Sequence, residues 1–185
     1  MTQRLHTAHE GKDVRLCFQD EARFGLKPTF RRVWAKKGQR PTAPSRVKYE
    51  WTYLYGVVEP QTGAVFWCVL PKVNTTVMNI FLREYSASLP ENVIALMVLD
   101  GAGWHLSGKL EVPPNIVLVV LPPYTPELNP AERLWTFVRE ATHNEAFEDL
   151  SALERRLCER CVELDAQPEV ISSATAYQGY FPGRL

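Results

Sequence analysis

Two runs of consecutive apolar residues, VIALMVL and IVLVVL, constrain the fold of this chain more than any other feature. Runs without a polar face are typical of strands that are covered on both sides of a sheet, and such neighbouring strands are usually parallel. The linker between them, GAGWHLSGKLEVPPN, follows Asp100 and is short. We therefore expect two buried parallel strands, joined by a crossover with at most one or two turns of helix.

Further strands are predicted before this pair. The mostly apolar residues 14–20, VRLCFQD, are typical of a buried central strand. The segment WTYLYGVVEPQTGAVFWCVL predicts two strands that are joined by a turn at residues 60–63. These segments give three antiparallel strands in succession, before the two parallel ones.

Helices are expected after the hairpin and after the last strand. Asn74 can cap a helix over Thr75–Ser88, which carries an apolar face. Two more helices are predicted, one from Pro130 through about residue 142 and one over residues 147–164. The sequence thus predicts an α/β fold in which a mixed sheet has helices on its faces.

Length and composition favour one ordinary globular domain. The 185 residues are 45% hydrophobic and 23% charged, and we expect a core over residues 14–142 with a C-terminal helix and tail over residues 147–185. No apolar run approaches a membrane span and the first residues lack a signal-peptide core, so the default location is cytoplasmic and no membrane partner is expected. The four cysteines are expected to be reduced, and the CxxC spacing of Cys158 and Cys161 lacks the second half of a zinc site.

The net charge of zero conceals a strongly basic segment. Residues 22–49 contain nine Lys and Arg side chains and no acidic residue, and they also contain aromatic residues. The segment is expected to form a long loop, or a loose hairpin around residues 32–35. A solvated charged loop is one interpretation, and a surface for a nucleic acid backbone is the other. The candidate phosphate contacts are Arg23, Arg31, Arg32, Lys36, Lys37 and Arg40.

Three carboxylates stand at the ends of apolar runs or at the start of a helix. Asp20 closes the first strand, Asp100 closes VIALMVL, and Glu132 opens the helix after LPPYTPELNP. Glu21 would point to the opposite face of the strand from Asp20, so at most one of them can join the other ligands. Hard oxygen ligands from separate elements are what two divalent ions need for phosphoryl transfer. The pattern therefore predicts a metal-dependent phosphoryl-transfer site, provided that the three converge.

Each candidate also has a structural alternative. Asp20 could simply end a strand, and Asp100 could belong to an Asp-Gly turn. Glu132 could serve a capping box with Asn129 as the N-cap. His105 could contact a phosphate, position a ligand or pack beside Trp104. If the carboxylates do cluster, replacing Asp100 by Asn should abolish cleavage while leaving thermal stability unchanged or raised.

Three segments together, QDEARFG, VLDGAGWH and LPPYTPELNPAERLW, resemble the catalytic domain of DDE transposases of the Tc/mariner superfamily, in its bacterial insertion-sequence branch. The resemblance implies a ribonuclease H-like fold and a catalytic triad of Asp20, Asp100 and Glu132. It also implies Mg²⁺ or Mn²⁺ as the cofactor, with two ions. DNA at the element ends and DNA at the target, which contains TA in this family, are the implied partners, and the implied active assembly is a homodimer.

The chain departs from this family at two points. Thirty-one residues separate Asp100 from Glu132, slightly fewer than in close relatives. Helix-turn-helix modules usually precede the catalytic domain in this family, and nineteen residues before Asp20 cannot contain one. We therefore expect either a truncated or separately encoded second reading frame, with the DNA-binding region encoded separately or joined by frameshifting, or an isolated catalytic domain. The alternatives are a non-catalytic remnant that acts as an inhibitor and another nuclease of the same fold.

Overall fold

The computed structural model describes residues 11–39, 42 and 48–176, and in this part of the chain the strands form one five-stranded sheet with the order β3-β2-β1-β4-β5. The strands are β1 (Asp13–Gly25), β2 (Trp51–Glu59), β3 (Ala64–Leu70), β4 (Val93–Leu99) and β5 (Ile116–Val120). β2 is antiparallel to its neighbours β1 and β3, whereas β4 is parallel to both β1 and β5. The predicted mixed sheet, with its first strand in the centre, is confirmed.

The helices of the described residues are α1 (Thr75–Ser88), α2 (Leu134–Glu140), α3 (Leu150–Asp165) and α4 (Pro168–Thr175). Asn74 caps α1 as predicted, because its side-chain oxygen accepts a hydrogen bond from the Val77 N–H at 2.9 Å. The helix expected from Pro130 instead begins as the 3₁₀ helix Pro130–Arg133 and becomes α-helical at Leu134. Helix α4 lies in a tail whose weak periodicity predicted no element.

The crossover between β4 and β5 is short and agrees with the prediction of at most one or two turns of helix. Residues 101–115 contain turns but no regular helix, and the N–H groups of His105 and Leu106 both bind the carbonyl of Ala102. Glycine and proline are frequent in this segment, and neither favours helix continuation. The result is a tight loop that starts directly after Asp100.

Both faces of the sheet are covered. One buried cluster joins Phe18 and Leu54 to side chains of α2, α3 and α4, among them Leu134 and Leu157. The other cluster joins strand residues such as Cys17 to α1. Since neighbouring residues of β1 point to opposite faces, the alternation of this strand decides which side chain meets which layer.

After β1 ends at Gly25, residues 26–39 of the basic segment form an irregular loop, which is the first of the two predicted alternatives. A turn lies at residues 36–39, where the Gln39 N–H donates to the Lys36 carbonyl, rather than at residues 32–35, where the alternative hairpin was expected. Thr29 pairs with His143 as an isolated bridge, and the Arg31 N–H donates to the Asn144 side chain at 2.9 Å. The loop is thus anchored to the connection between α2 and α3. Among the described residues, no helix has the length and apolarity that crossing a membrane requires.

Candidate active site

One cavity of about 500 Å³ is lined by Asp20, Asp100 and Glu132 together. Strands β1 and β4 are adjacent and parallel, and Phe18 lies opposite Val98 in their register. Two residues further along the chain come Asp20 and Asp100, and Asp100 directly follows β4. Asp20 does not end its strand as predicted, because residues 18–25 pair with β2 and β1 continues to Gly25. The parallel pairing of β1 with β4 brings both carboxylates to the same end of β4. The loop of residues 121–126, with its three prolines, forms another wall of the cavity.

Glu132 reaches this edge because Asn129 fastens its turn to β1. The Asn129 amide donates to the Gln19 carbonyl at 2.9 Å, and its side-chain oxygen accepts from the Ala131 N–H at 3.1 Å. The backbone N–H of Asn129 donates to the Pro126 carbonyl, which replaces the bond that a capping box would take from Glu132. The capping-box alternative for Glu132 is therefore wrong, and its carboxylate is exposed to the cavity.

Asp20 is held by an indole. The Trp135 Nε1–H donates to Asp20 Oδ2 at 2.6 Å, and Trp135 itself is buried. Burial raises the pKa of Asp20 to about 7, and the negative charges of Glu132 and Glu21 add to the effect, whereas the Trp135 bond opposes it. The metal-free site thus contains a carboxylate that takes up a proton near neutral pH.

The pKa of Asp100 is shifted in the opposite direction from that of Asp20. Its Oδ1 accepts hydrogen bonds from His105 Nδ1 at 2.8 Å and from the Ala102 N–H at 3.0 Å. The bond from His105 and that from Ala102 outweigh partial desolvation and lower the pKa of Asp100. The turn that follows Asp100 is therefore present, but the same carboxylate also lines the cavity, so the turn does not exclude a functional role.

His105 links Asp100 to the opposite face of β1. Its Nε2 lies 3.1 Å from Glu21 Oε1, which also accepts a bond from Trp104 Nε1 at 3.1 Å. Burial lowers the pKa of His105, but hydrogen bonds to Asp100 and Glu21 outweigh this effect and raise the pKa to about 9. With both ring nitrogens bound to carboxylates and the side chain buried, His105 is placed to position a ligand rather than to touch a phosphate.

The donor chemistry of the cavity fits a divalent ion with a preference for oxygen ligands, such as Mg²⁺ or Mn²⁺. Three carboxylates face one space, and the raised pKa of Asp20 reflects in part the neighbouring charge of Glu132. Among the described residues, however, no three His, Cys, Asp or Glu side chains are grouped so that they could hold an ion as they stand. Metal binding would therefore require these side chains to draw together.

The basic residues lie outside this cavity. Arg23 stacks over the Trp51 ring at 5.4 Å, and Arg31 lies 3.8 Å from Glu140. Arg32, Lys36 and Lys37 are exposed on the irregular loop. Arg40 falls outside the described residues.

Sequence reasoning named His105, which holds Asp100, but missed Trp135, which holds Asp20. It also gave no role to Glu21 as the partner of His105. The period of a strand or a helix predicts the face on which a side chain lies, but it does not predict the partner of that side chain. Tyr124 was missed as well, and its ring is 99% exposed beside the cavity on a backbone with φ of 60°.

Comparison with known proteins identifies related chains. The family model described as DDE superfamily endonuclease matches residues 15–154. An uncharacterized protein of Sinorhizobium fredii (strain NBRC 101917 / NGR234), y4pE/y4sA, is 40% identical over 124 residues, which cover 66% of this chain and 92% of that protein.

Solved structures share the fold. The Mos1 strand transfer complex matches with a TM-score of 0.56 and 18% identity, over 95% of this chain and 56% of that chain. The Mos1 mariner paired end complex with Mn matches with a TM-score of 0.57 and 17% identity, over 95% of this chain and 60% of that chain. The corresponding complex with Mg matches with a TM-score of 0.56 and 20% identity, over 88% of this chain and 56% of that chain. This chain thus spans less than two thirds of the Mos1 chains. The likeness confirms the ribonuclease H-like fold.

Proposed function

Because the chain belongs to the DDE superfamily endonuclease family, we propose that it is the catalytic domain of a transposase that cuts DNA at the ends of an insertion sequence and transfers the freed strand to a target. Asp20, Asp100 and Glu132 are proposed as the metal ligands and catalytic residues. The observation that carries this proposal is their convergence on one cavity from two strands and a helical turn.

The chemistry follows from the oxygen ligands. Two Mg²⁺ or Mn²⁺ ions, when bound, would activate the attacking oxygen and stabilise the leaving oxygen of the phosphodiester. The protein holds Asp20 through Trp135 and Asp100 through His105, and it presents Glu132 from a turn fixed by Asn129. Mos1 paired end complexes contain Mn or Mg, which supports a divalent ion in this family.

DNA is proposed as the partner, with the exposed basic loop following its backbone. Arg23, Arg32, Lys36 and Lys37 are exposed and none of them has an ion pair within the described part of the chain, whereas Arg31 must exchange Glu140 for a phosphate. Arg40 belongs to the same proposal on sequence grounds. These contacts would be insensitive to sequence and would weaken with salt. Acting on the chromosome would place the protein at the bacterial nucleoid.

Several finer features complete the proposal. TA-containing targets and a homodimeric active complex come from the family resemblance, as does a DNA-binding region that is encoded separately or joined by frameshifting. The second candidate is a remnant that binds DNA or dimerises without cutting. All three carboxylates line the cavity, which favours the active enzyme.

The test is a Mg²⁺ and Mn²⁺ titration of supercoiled plasmid nicking. Asp100→Asn and Glu132→Gln should each abolish metal-dependent nicking, because each removes a charged oxygen ligand. Glu91→Gln is the matched control, since this exposed carboxylate precedes β4 at the end of the strand opposite to Asp100. Nicking that survives in Asp100→Asn would contradict the proposed site, and a wild-type protein that neither binds metal nor nicks would favour the remnant.

A further inference from the structure

Three side chains form a continuous path from the cavity to the far face of β1. Asp100 Oδ1 lies 2.8 Å from His105 Nδ1, and His105 Nε2 lies 3.1 Å from Glu21 Oε1. The exposed fractions of the three side chains are 57%, 1% and 6% in that order. An exposed carboxylate is thus tied by a buried imidazole to a buried carboxylate.

Glu21 is itself firmly placed. Trp104 Nε1 donates to the same Oε1 atom at 3.1 Å, so two ring N–H groups bind one carboxylate oxygen. Glu21 lies opposite Tyr55 of β2 in the register of the sheet, which fixes its backbone in the centre of the fold. A buried carboxylate with such partners is a rigid acceptor, because moving it would leave a charge uncompensated.

Glu21 is not a candidate ligand, since it points away from the cavity that Asp20 lines. Its effect can reach the cavity through His105. The two hydrogen bonds that the Asp100 carboxylate accepts, from His105 and from the Ala102 N–H, both end on Oδ1. Fixing one oxygen of a carboxylate orients the other oxygen, Oδ2, which is the atom then left for a cation.

We propose that Glu21 is a positioning residue, which acts through His105 to fix the Asp100 carboxylate for binding a divalent cation. The inference rests on the proposed function, because it assumes that Asp100 is a metal ligand. His105 bonds directly to Asp100, and direct partners of a metal ligand typically change metal affinity 10–100-fold when they are replaced. Glu21 acts one hydrogen bond further out, so its effect belongs at the lower end of that range. Adjacent residues of β1 would then serve the same site from two faces, Asp20 directly and Glu21 through His105.

The test measures metal binding directly, by Mn²⁺ electron paramagnetic resonance and by calorimetry with Mg²⁺. Glu21→Gln keeps the shape and removes the charge, and we expect it to weaken Mn²⁺ binding about 10-fold, at the lower end of the range for direct partners of a metal ligand. His105→Asn is a second variant, whose amide can still donate to Asp100 but is too short to reach Glu21, and we expect a similar loss. Glu91→Gln controls for the change in net charge and should bind Mn²⁺ like the wild type.

Nicking gives a second readout that a purely structural role would not produce. The Mg²⁺ concentration for half-maximal nicking should rise by the same factor in Glu21→Gln, while the rate at saturating Mg²⁺ stays within a few-fold of the wild type. Unchanged Mn²⁺ affinity in Glu21→Gln and His105→Asn would overturn the inference. If Asp100→Asn also bound Mn²⁺ normally, the proposed function itself would fail, so the two failures are distinguishable.

Discussion

Replacing Asp20 by Asn should stabilise the metal-free protein, and the gain should grow with pH. Burial, together with the charges of Glu132 and Glu21, raises the pKa of Asp20 from 3.8 to about 7. The folded state therefore holds the Asp20 proton more tightly than the unfolded chain does. Stability that is present below pH 4 is lost as the pH rises towards 7, because the ionised carboxylate is unfavourable only in the folded protein.

The size of the effect follows from the two pKa values. The difference between 3.8 and about 7, at about 1.4 kcal/mol per pH unit, corresponds to about 4 kcal/mol at pH 8. The same linkage leaves only about 1.5–2 kcal/mol at pH 5, since most of the titration lies above that pH. Asparagine carries no charge at either pH, and its side-chain oxygen can still accept the Trp135 bond. For a chain of this length, about 4 kcal/mol raises the melting temperature by roughly 10 °C.

The assay is urea unfolding of wild type and Asp20→Asn in EDTA, at pH 5 and at pH 8. Asp100→Asn provides a comparison of opposite sign, because His105 lowers the pKa of Asp100 and its ionised form is favoured in the folded state. The expectation from the sequence, that Asp100→Asn would leave stability unchanged or raise it, is therefore replaced by a loss of stability. Mg²⁺ should stabilise the wild type more at pH 8 than at pH 5 and should have little effect on Asp20→Asn.

An equal gain for Asp20→Asn at both pH values would refute the reasoning, because a change in packing or propensity has no pH dependence. A loss of stability at pH 8 would refute it more directly. It would mean that ionised Asp20 is satisfied in the folded protein, and that the neighbouring carboxylates do not repel it.

Two further predictions concern side chains around the site. The Gln19 side chain is fully buried, and neither its Nε2 nor its Oε1 has a hydrogen-bond partner among the described residues. Gln19→Met should therefore raise the melting temperature by about 2–4 °C, which corresponds to about 1 kcal/mol. A lower melting temperature of Gln19→Met in differential scanning calorimetry would show that the amide is hydrogen-bonded in the folded protein. The Tyr124 ring is 99% exposed beside the cavity, so Tyr124→Ala should leave the melting temperature within about 1 °C. Tyr124→Ala should nevertheless weaken binding of a single-stranded oligonucleotide by about 5–100-fold in fluorescence anisotropy, because base stacking on the aromatic ring is lost. Tyr124→Phe keeps the ring and should bind like the wild type. Equal binding by Tyr124→Ala and wild type would contradict a stacking role for Tyr124.

Much of the fold could be predicted because its signals are local. Continuous apolar runs predicted β4 and β5, and Asn74, as a capping residue, predicted that α1 begins at Thr75. The 3₁₀ start at Pro130 was not predicted, because tertiary contacts decide it. Asn129, for example, uses its amide to bind the Gln19 carbonyl, and no pattern along the chain indicates a contact across 110 residues.

For the candidate site, the sequence could predict on which face of its strand each carboxylate lies and toward which end of the sheet. Asp100 follows the end of β4, and Asp20 lies where β1 passes that end, so the parallel pairing of the two strands places the carboxylates close together. The donors that hold those carboxylates were not predictable in the same way. Trp135 lies three residues after Glu132, where helical periodicity places it in the core, and only the packed structure shows that its N–H meets Asp20.

The two aspartates of the cavity are in opposite electrostatic states before any cation arrives. Asp100 is ionised and oriented by His105, whereas Asp20 has a pKa of about 7 and retains its proton in part of the population at neutral pH. A divalent cation held by Asp20, Asp100 and Glu132 would require Asp20 to release its proton, so its binding would be coupled to proton release and would strengthen as the pH rises. Without a cation, three ionised carboxylates at one cavity would repel one another, which is part of the reason that the pKa of Asp20 is raised.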